Sequence, residues 1–216
     1  MLVDLHCHTA ERSDDSAAPA LELALAARRA GLDAIAFTDH DAFWPAWELE
    51  EIARRSGIVV LPGAEINTEG GHAVVFGLTE YRFGMHRPDY LRSLVNEAGG
   101  AMIAAHPYRR ALPFGVEQDS VGYSEALERA SRDAALLRMC DAAEVVNGRG
   151  TLAQNEFSRR LLEREGVRGV ASSDAHNVDG LGEAATEFER RIDTVEELVR
   201  ELKAGRFRAV SRRPGL

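Results

Sequence analysis

The first nine residues, MLVDLHCHT (residues 1–9), form a short apolar run that ends in two histidines two positions apart. In an extended strand alternate side chains share a face, so His6 and His8 converge while Cys7 points away. Two neutral imidazoles on one face provide half of a metal site. This stretch therefore predicts a strand that carries metal ligands at its carboxyl end.

Four further apolar runs end in His, Asp or Glu: AIAFTDH at 34–40, VVLPGAE at 59–65, MIAAHP at 102–107 and VASSDAH at 170–176. Helix-like segments such as residues 19–30 and 152–165 alternate with these runs. The alternation predicts an α/β fold with a parallel sheet and right-handed crossovers. A closed barrel is favoured over an open sheet, because ligands from distant strands must converge at the carboxyl ends.

Composition is that of an ordinary globular protein, and the length of 216 residues predicts a single domain over residues 1–216. The formal net charge of the chain is −9. The acidic balance disfavours a nucleic-acid polymer or a membrane surface as partner. No signal peptide or membrane span is expected, and the two cysteines form no disulfide framework, so a cytoplasmic location is expected. No residue pattern indicates an oligomeric state.

Six of the seven histidines lie at or near the strand ends: His6, His8, His40, His72, His106 and His176. Together with Glu65 and Asp174 they exceed the four ligands of a structural zinc site, and no cysteine pair accompanies them. The set therefore predicts two or three divalent metal ions, with manganese, zinc or iron compatible with these ligands.

The ordered motifs HCHT, TDHD, GAE, AHP and SDAH resemble the PHP (polymerase and histidinol phosphatase) family of metal-dependent phosphoesterases. The resemblance covers nearly the whole chain, from His6 to His176. It implies a single-domain, distorted (βα)7 barrel of the TIM-like type, with up to three metals at its carboxyl-terminal rim.

The resemblance also implies a set of ligands for each metal. For the first metal these are His6, His8, Glu65 and Asp174. For the second they are His72 and His106, with Glu65 as a bridge. For the third they are His40 and His176, with an acidic residue that follows the first strand.

Two of these ligands have open alternatives. The segment HCHTAERSDDS has a longer spacer than the family pattern and lacks its glycine, so Asp14 is the preferred acidic ligand and Asp15 the alternative. Both aspartates could instead cap the following helix. His72 follows Gly70 and Gly71 and could lie on a turn.

The resemblance implies hydrolysis of a phosphate ester of a small metabolite or nucleotide, by attack of a hydroxide that bridges two metals. Arg109 and Arg110 follow the AHP motif and Arg149 follows EVVNG, so these arginines are candidates to bind the phosphate. Asn147 and Arg149 are catalytic candidates at the end of one strand. The sequence offers no unique proton donor: Asp39 and Asp41 flank His40 and either could serve, but orientation of His40 is the favoured role of Asp39.

Two other functions remain open at this stage. The same ligands could serve an amidohydrolase that cleaves a carbon–nitrogen bond, or the chain could be a non-catalytic PHP-like module that stabilises a partner. The arginines favour phosphate, and a complete ligand set argues against a scaffold. The choice between phosphatase and phosphodiesterase stays open, and residues 107–122 form the long loop expected to contact substrate.

Overall fold

The computed structural model describes residues 1–212, which form ten strands and seven helices. The strands are β1 (Leu2–Asp4), β2 (Ala34–Phe37), β3 (Val59–Pro62), β4 (Ala64–Thr68), β5 (Gly71–Phe76), β6 (Ala101–Ala104), β7 (Ala142–Asn147), β8 (Gly169–Ser172), β9 (Ala184–Phe188) and β10 (Phe207–Ser211). The helices are α1 (Ala20–Arg29), α2 (Ala46–Ser56), α3 (Pro88–Glu97), α4 (Val121–Arg132), α5 (Ala135–Met139), α6 (Leu152–Glu165) and α7 (Val195–Ala204).

The strands form two five-stranded sheets, in the orders β10-β9-β1-β2-β3 and β4-β5-β6-β7-β8. Strands β1, β2 and β3 are parallel, as are β6, β7 and β8, whereas β4, β5 and β6 run antiparallel. Isolated bridges connect the two sheets, from Cys7 to Ala175 and from His40 to Glu65. The predicted α/β class is confirmed.

A closed TIM-like barrel is not confirmed, because no continuous ring of strands is found within residues 1–212. The main departure from the predicted βα repeat is the hairpin of β4 and β5, which turns at Glu69 and Gly70 without an intervening helix. A second departure is β9, which pairs antiparallel with both β1 and β10.

The helix ends follow from local chemistry. Helix α6 begins with a capping box, in which the Thr151 hydroxyl accepts from the Gln154 backbone N–H and the Gln154 side chain accepts from the Thr151 N–H. It ends at Gly166, whose φ of 68° is the left-handed conformation that terminates helices. Residues 121–139 form two helices, α4 and α5, with a break after Arg132.

The largest apolar core fills the space between the two sheets and α7, and includes Leu5, Phe76, Ile103, Val170 and Leu202. Burial of this core fixes the strands, and through them the side chains that follow their carboxyl ends. Within residues 1–212 no helix combines the length and apolar character needed to cross a membrane.

Candidate metal centre

The carboxylate of Glu65 lies at the centre of the predicted ligand set. Its Oε2 atom lies 3.2 Å from one ring nitrogen of each of three histidines, His6, His8 and His40. Its Oε1 atom lies 2.9 Å from His72 Nδ1 and from His106 Nε2. The strand ends thus bring five imidazoles from separate parts of the chain to one buried carboxylate.

Asp174 and His176 complete the cluster from the end of β8. Asp174 Oδ1 lies 3.4 Å from His8 Nε2 and 3.6 Å from His6 Nε2. Four groups have ligand atoms within 4.8 Å of one another: His6–His8–Glu65, His6–His106–Asp174, His40–Glu65–His72 and His8–Asp15–His40–His176. The structure therefore brings together all the predicted histidine ligands with Glu65 and Asp174.

Three buried polar atoms of the cluster have no hydrogen-bond partner: Glu65 Oε2, Asp174 Oδ1 and His40 Nδ1. A buried polar atom without a partner is costly to folding, and more so when it carries charge. All three atoms face other ligand atoms, so divalent cations would satisfy them together. Imidazole nitrogens with carboxylate oxygens also suit zinc, manganese or iron. The residues present therefore fit the predicted metals.

The electrostatics of the cluster favour positive charge at its centre. Burial opposes ionisation of Glu65, but the charge of His6 and the hydrogen bonds from His106 and His72 hold the pKa of Glu65 well below its usual range. For His6, burial lowers the pKa, but the carboxylates of Glu65, Asp174 and Glu144 together raise the pKa of that imidazole well above its usual value. Carboxylates that stabilise a proton on His6 would also stabilise a metal ion beside it.

We expect metal to stabilise the fold measurably. At a free metal concentration 100 times the dissociation constant, binding to the folded state alone adds about 2.7 kcal/mol. For a chain of this size that raises the melting temperature by about 5–10 °C. Thermal unfolding of chelator-treated protein with and without manganese measures the shift. His6→Ala should reduce it, and an equal shift in both proteins would contradict binding at this cluster.

Asp15, and not the preferred candidate Asp14, is the aspartate that the structure brings to the histidines. Asp15 Oδ2 lies 3.0 Å from His176 Nε2 and 3.5 Å from His40 Nε2, while Asp14 is exposed and belongs to none of the four groups. The physical reason is a local turn, in which the Ser16 hydroxyl donates to the carbonyls of His8 and His176. This turn fixes Asp15 against the histidines.

We expect Asp15→Asn to weaken metal binding by about tenfold or more, since it removes one anionic ligand from the most exposed group. Asp14→Asn, the matched neighbour, should bind metal within about twofold of the wild type. Metal titration by isothermal calorimetry compares the two variants. A larger loss in Asp14→Asn than in Asp15→Asn would restore the original assignment.

Glu144 supports the cluster from behind and was not identified from the sequence. Its Oε1 atom lies 2.8 Å from His6 Nδ1 and accepts from the Ser172 hydroxyl at 2.6 Å. Its Oε2 atom accepts from the backbone N–H of His106 at 2.7 Å and from the Asn147 amide at 2.8 Å. Although burial opposes it, the charge of His6 lowers the pKa of Glu144, so the carboxylate is an acceptor. The proton of His6 then lies on Nδ1, and Nε2 is free to bind a metal.

Asp39 is buried, and hydrogen bonds hold its carboxylate. Its buried carboxylate accepts from the Thr9 backbone N–H at 2.6 Å, the Ser13 hydroxyl at 2.7 Å and Trp44 Nε1 at 2.7 Å. The Ser13 hydroxyl in turn lies 3.3 Å from His8 Nδ1. Asp39 therefore contacts His8 through Ser13, and the same Ser13 hydroxyl accepts from the backbone N–H of His40, the histidine that Asp39 was expected to orient.

Two of the three predicted arginines lie at the cluster. Arg109 donates to Asp174 Oδ2 at 2.7 Å, and Arg149 Nη1 lies 2.9 Å from His176 Nδ1. Asn147, the other catalytic candidate, donates to Glu144 and lies 3.2 Å from Asp174 Oδ2. Arg110 instead donates to the backbone carbonyl of Thr68 and lines an adjacent pocket.

Backbone conformation at two ligands is also unusual. Of the four non-glycine residues with positive φ in residues 1–212, two are His106, at 30°, and Asp174, at 54°. Such conformations cost free energy in residues with a Cβ atom, and they are typical of functional sites. Here they turn the two side chains back toward Glu65 at the points where β6 and β8 end.

The cluster is accessible from one side. His6, His8, Glu65 and Asp174 are buried, whereas the side chains of His40, His72 and His176 are 26%, 17% and 11% exposed. A pocket of about 430 Å³ borders His72 and His106. A substrate would therefore reach the cluster from this side.

Comparison with known proteins agrees with this description. The family model described as PHP_C, PHP-associated, matches residues 153–207. The uncharacterized protein MJ1587 of Methanocaldococcus jannaschii is 28% identical over 117 residues, which are 50% of this chain and 68% of that protein.

Two solved structures share the fold. One is a two-domain protein from Bacteroides vulgatus containing a predicted PHP-like metal-dependent phosphoesterase, with a TM-score of 0.63 and 16% identity over 98% of this chain and 64% of that one. The other is an amidohydrolase from Chromobacterium violaceum, with a TM-score of 0.64 and 18% identity over 98% of both chains. This chain thus spans somewhat less than two thirds of the Bacteroides protein. Together with the five assembled motifs, these matches support the resemblance to the PHP family, and the solved structures show that the fold is shared.

Proposed function

We propose that this protein is a metal-dependent hydrolase that cleaves a phosphate ester of a small metabolite or nucleotide. The observation that carries the proposal is the Glu65-centred cluster, which is open on one side and has Arg109 and Arg149 at its edge. When bound, divalent ions would supply an activated water and neutralise charge on a phosphoryl group.

The residues at the edge of the cluster suit an oxyanion substrate. The guanidinium groups of Arg109 and Arg149 present planar pairs of donors, the arrangement that matches phosphoryl oxygens. Asn147 is held between Glu144 and Asp174, so its side chain is fixed in orientation beside the ligands. Glu144 and Asp39 keep the rings of His6 and His8 in place during the reaction.

Carbon–nitrogen hydrolysis is the second candidate function. It is favoured by the shared fold of the Chromobacterium protein, which is an amidohydrolase. Phosphate ester hydrolysis is preferred because two arginines contact ligand residues, and the paired donors of a guanidinium match phosphate. A purely structural module would gain nothing from the unpaired buried atoms of the cluster.

The test is phosphate release from a panel of monoesters and diesters by manganese-loaded protein, with an amide panel in parallel. His6→Ala and Asp174→Ala should lose the activity. His86→Ala should retain it, because His86 is an exposed histidine outside the four ligand groups. Activity on amides alone would contradict phosphate ester hydrolysis and support the amidohydrolase alternative. Phosphate release by His6→Ala at the wild-type rate would contradict the proposed site.

A further inference from the structure

If the proposed phosphoesterase function holds, the pocket beside the cluster selects the organic group that is esterified to the phosphate of the substrate. Its volume is about 430 Å³, and His72 and His106 form the wall that it shares with the cluster. A phosphoryl group bound at the cluster therefore directs its ester substituent into this pocket.

The floor of the pocket is apolar. It is formed by the buried side chains of Ala104, Ala134, Leu136, Leu137 and Leu161, which come from β6, α5 and α6 and the residue before α5. A hydroxyl-rich substituent such as a sugar would lose its hydration against this surface without gaining hydrogen bonds. An apolar substituent would instead bury its surface favourably.

One wall is the backbone of the turn between β4 and β5. A Cβ atom at Gly70 would lie 3.1 Å from Leu136 Cβ, and one at Gly71 would lie 3.4 Å from Leu136 Cδ2. The two glycines therefore allow the turn to pack closely against α5 and leave a wall without side chains. Such a surface suits the face of a flat ring.

Three arginines, Arg109, Arg110 and Arg129, and two carboxylates line the pocket, and their charges nearly balance because Arg109 is paired with Asp174. Arg110 donates to a neutral carbonyl and Arg129 is exposed, while the carboxylates of Glu69 and Asp133 are exposed as well. No strong net charge therefore selects an ionic substituent. The planar guanidinium groups can stack on an aromatic face.

We propose that the pocket binds the ester substituent of the substrate and that this substituent is an aromatic ring system. A cavity of about 150 Å³ lined by apolar side chains is enough for benzene. The larger volume here admits one or two fused rings. The substrate class is therefore a phosphate ester of an aromatic or heteroaromatic group.

The test uses phosphonates, which cannot be hydrolysed, so that binding is read separately from catalysis. Calorimetric titration of manganese-loaded protein compares methylphosphonate, phenylphosphonate and 1-naphthylphosphonate. We expect the two aromatic compounds to bind at least about tenfold more tightly than methylphosphonate. Equal affinities for all three would overturn the pocket assignment while leaving the proposed function intact.

Variants test whether the preference for aromatic phosphonates arises in the pocket. Ala130→Phe and Ala111→Phe each add a ring to a partly buried lining position and should reduce the aromatic preference to within about threefold. Glu125→Phe adds the same ring to an exposed position of α4 that does not line the pocket, and should retain the preference. A preference unchanged in both alanine variants would overturn the proposal. Failure of all three phosphonates to bind would contradict a phosphoryl site at the cluster. It would therefore overturn both the pocket assignment and the proposed function.

Discussion

Glu65→Gln is expected to reduce phosphate release by a factor of about 10³ or more. The carboxylate of Glu65 is the acceptor that faces five histidines, and both of its oxygens lie within 3.2 Å of imidazole nitrogens. Glutamine has the same shape but no charge, and its amide nitrogen is a donor that cannot bind a metal. The measurements are the turnover rate with manganese and the number of ions bound per chain by elemental analysis.

Glu50→Gln is the matched control for this prediction, because Glu50 is an exposed carboxylate of α2 that belongs to none of the four ligand groups and does not line the pocket. It should retain the activity on small esters within about twofold and bind the wild-type number of ions. If Glu65→Gln kept both the full number of ions and substantial activity, Glu65 would not bridge the metals.

Glu144→Gln is expected to weaken metal binding by about 10–100-fold although Glu144 is not itself a ligand. The substitution replaces one acceptor by an NH₂ group, which would oppose two donors of the set formed by His6, Ser172, Asn147 and the His106 backbone. Leaving buried donors unsatisfied should also lower the free energy of unfolding by about 1–3 kcal/mol. Calorimetric metal titration and urea denaturation measure the two effects separately.

Ser172→Ala separates positioning from simple loss of stability, since it removes one of the hydrogen bonds to Glu144 and leaves the carboxylate in contact with His6. We expect a smaller loss of metal affinity in Ser172→Ala than in Glu144→Gln. Equal metal affinity in the wild type and Glu144→Gln would show that Glu144 serves the fold alone.

The candidate site was largely predictable because its ligands carry a local signal. His6, Glu65 and Asp174 each directly follow or end an apolar run, and their residue types bind metals. Asp15 and Glu144 were harder for different reasons. Choosing between two adjacent aspartates depends on the Ser16 hydrogen bonds to distant carbonyls, and Glu144 is a carboxylate inside a strand whose partners come from three other segments.

The α/β class of the fold was predictable from the sequence, but whether its strands close into a barrel was not. Apolar runs that alternate with helical segments indicate parallel βα units, which the structure has from β1 to β3 and from β6 to β8. The run at residues 64–76 has the same apolar character, yet its glycine turn makes a hairpin. Strand β9 is rich in small and polar residues, AATEF, so its role is set by pairing with β1 and β10 rather than by its own pattern.

The bridge between Cys7 and Ala175 has a consequence for the order in which the molecule is made. His6 and His8 leave the ribosome before Asp174, which follows them by more than 160 residues. Until residues 174–176 are synthesised, the nascent chain lacks an anionic ligand and cannot hold its metals fully. Closing a loop of this length also carries a large entropic cost. Full metal capture should therefore follow the synthesis of residues 174–176.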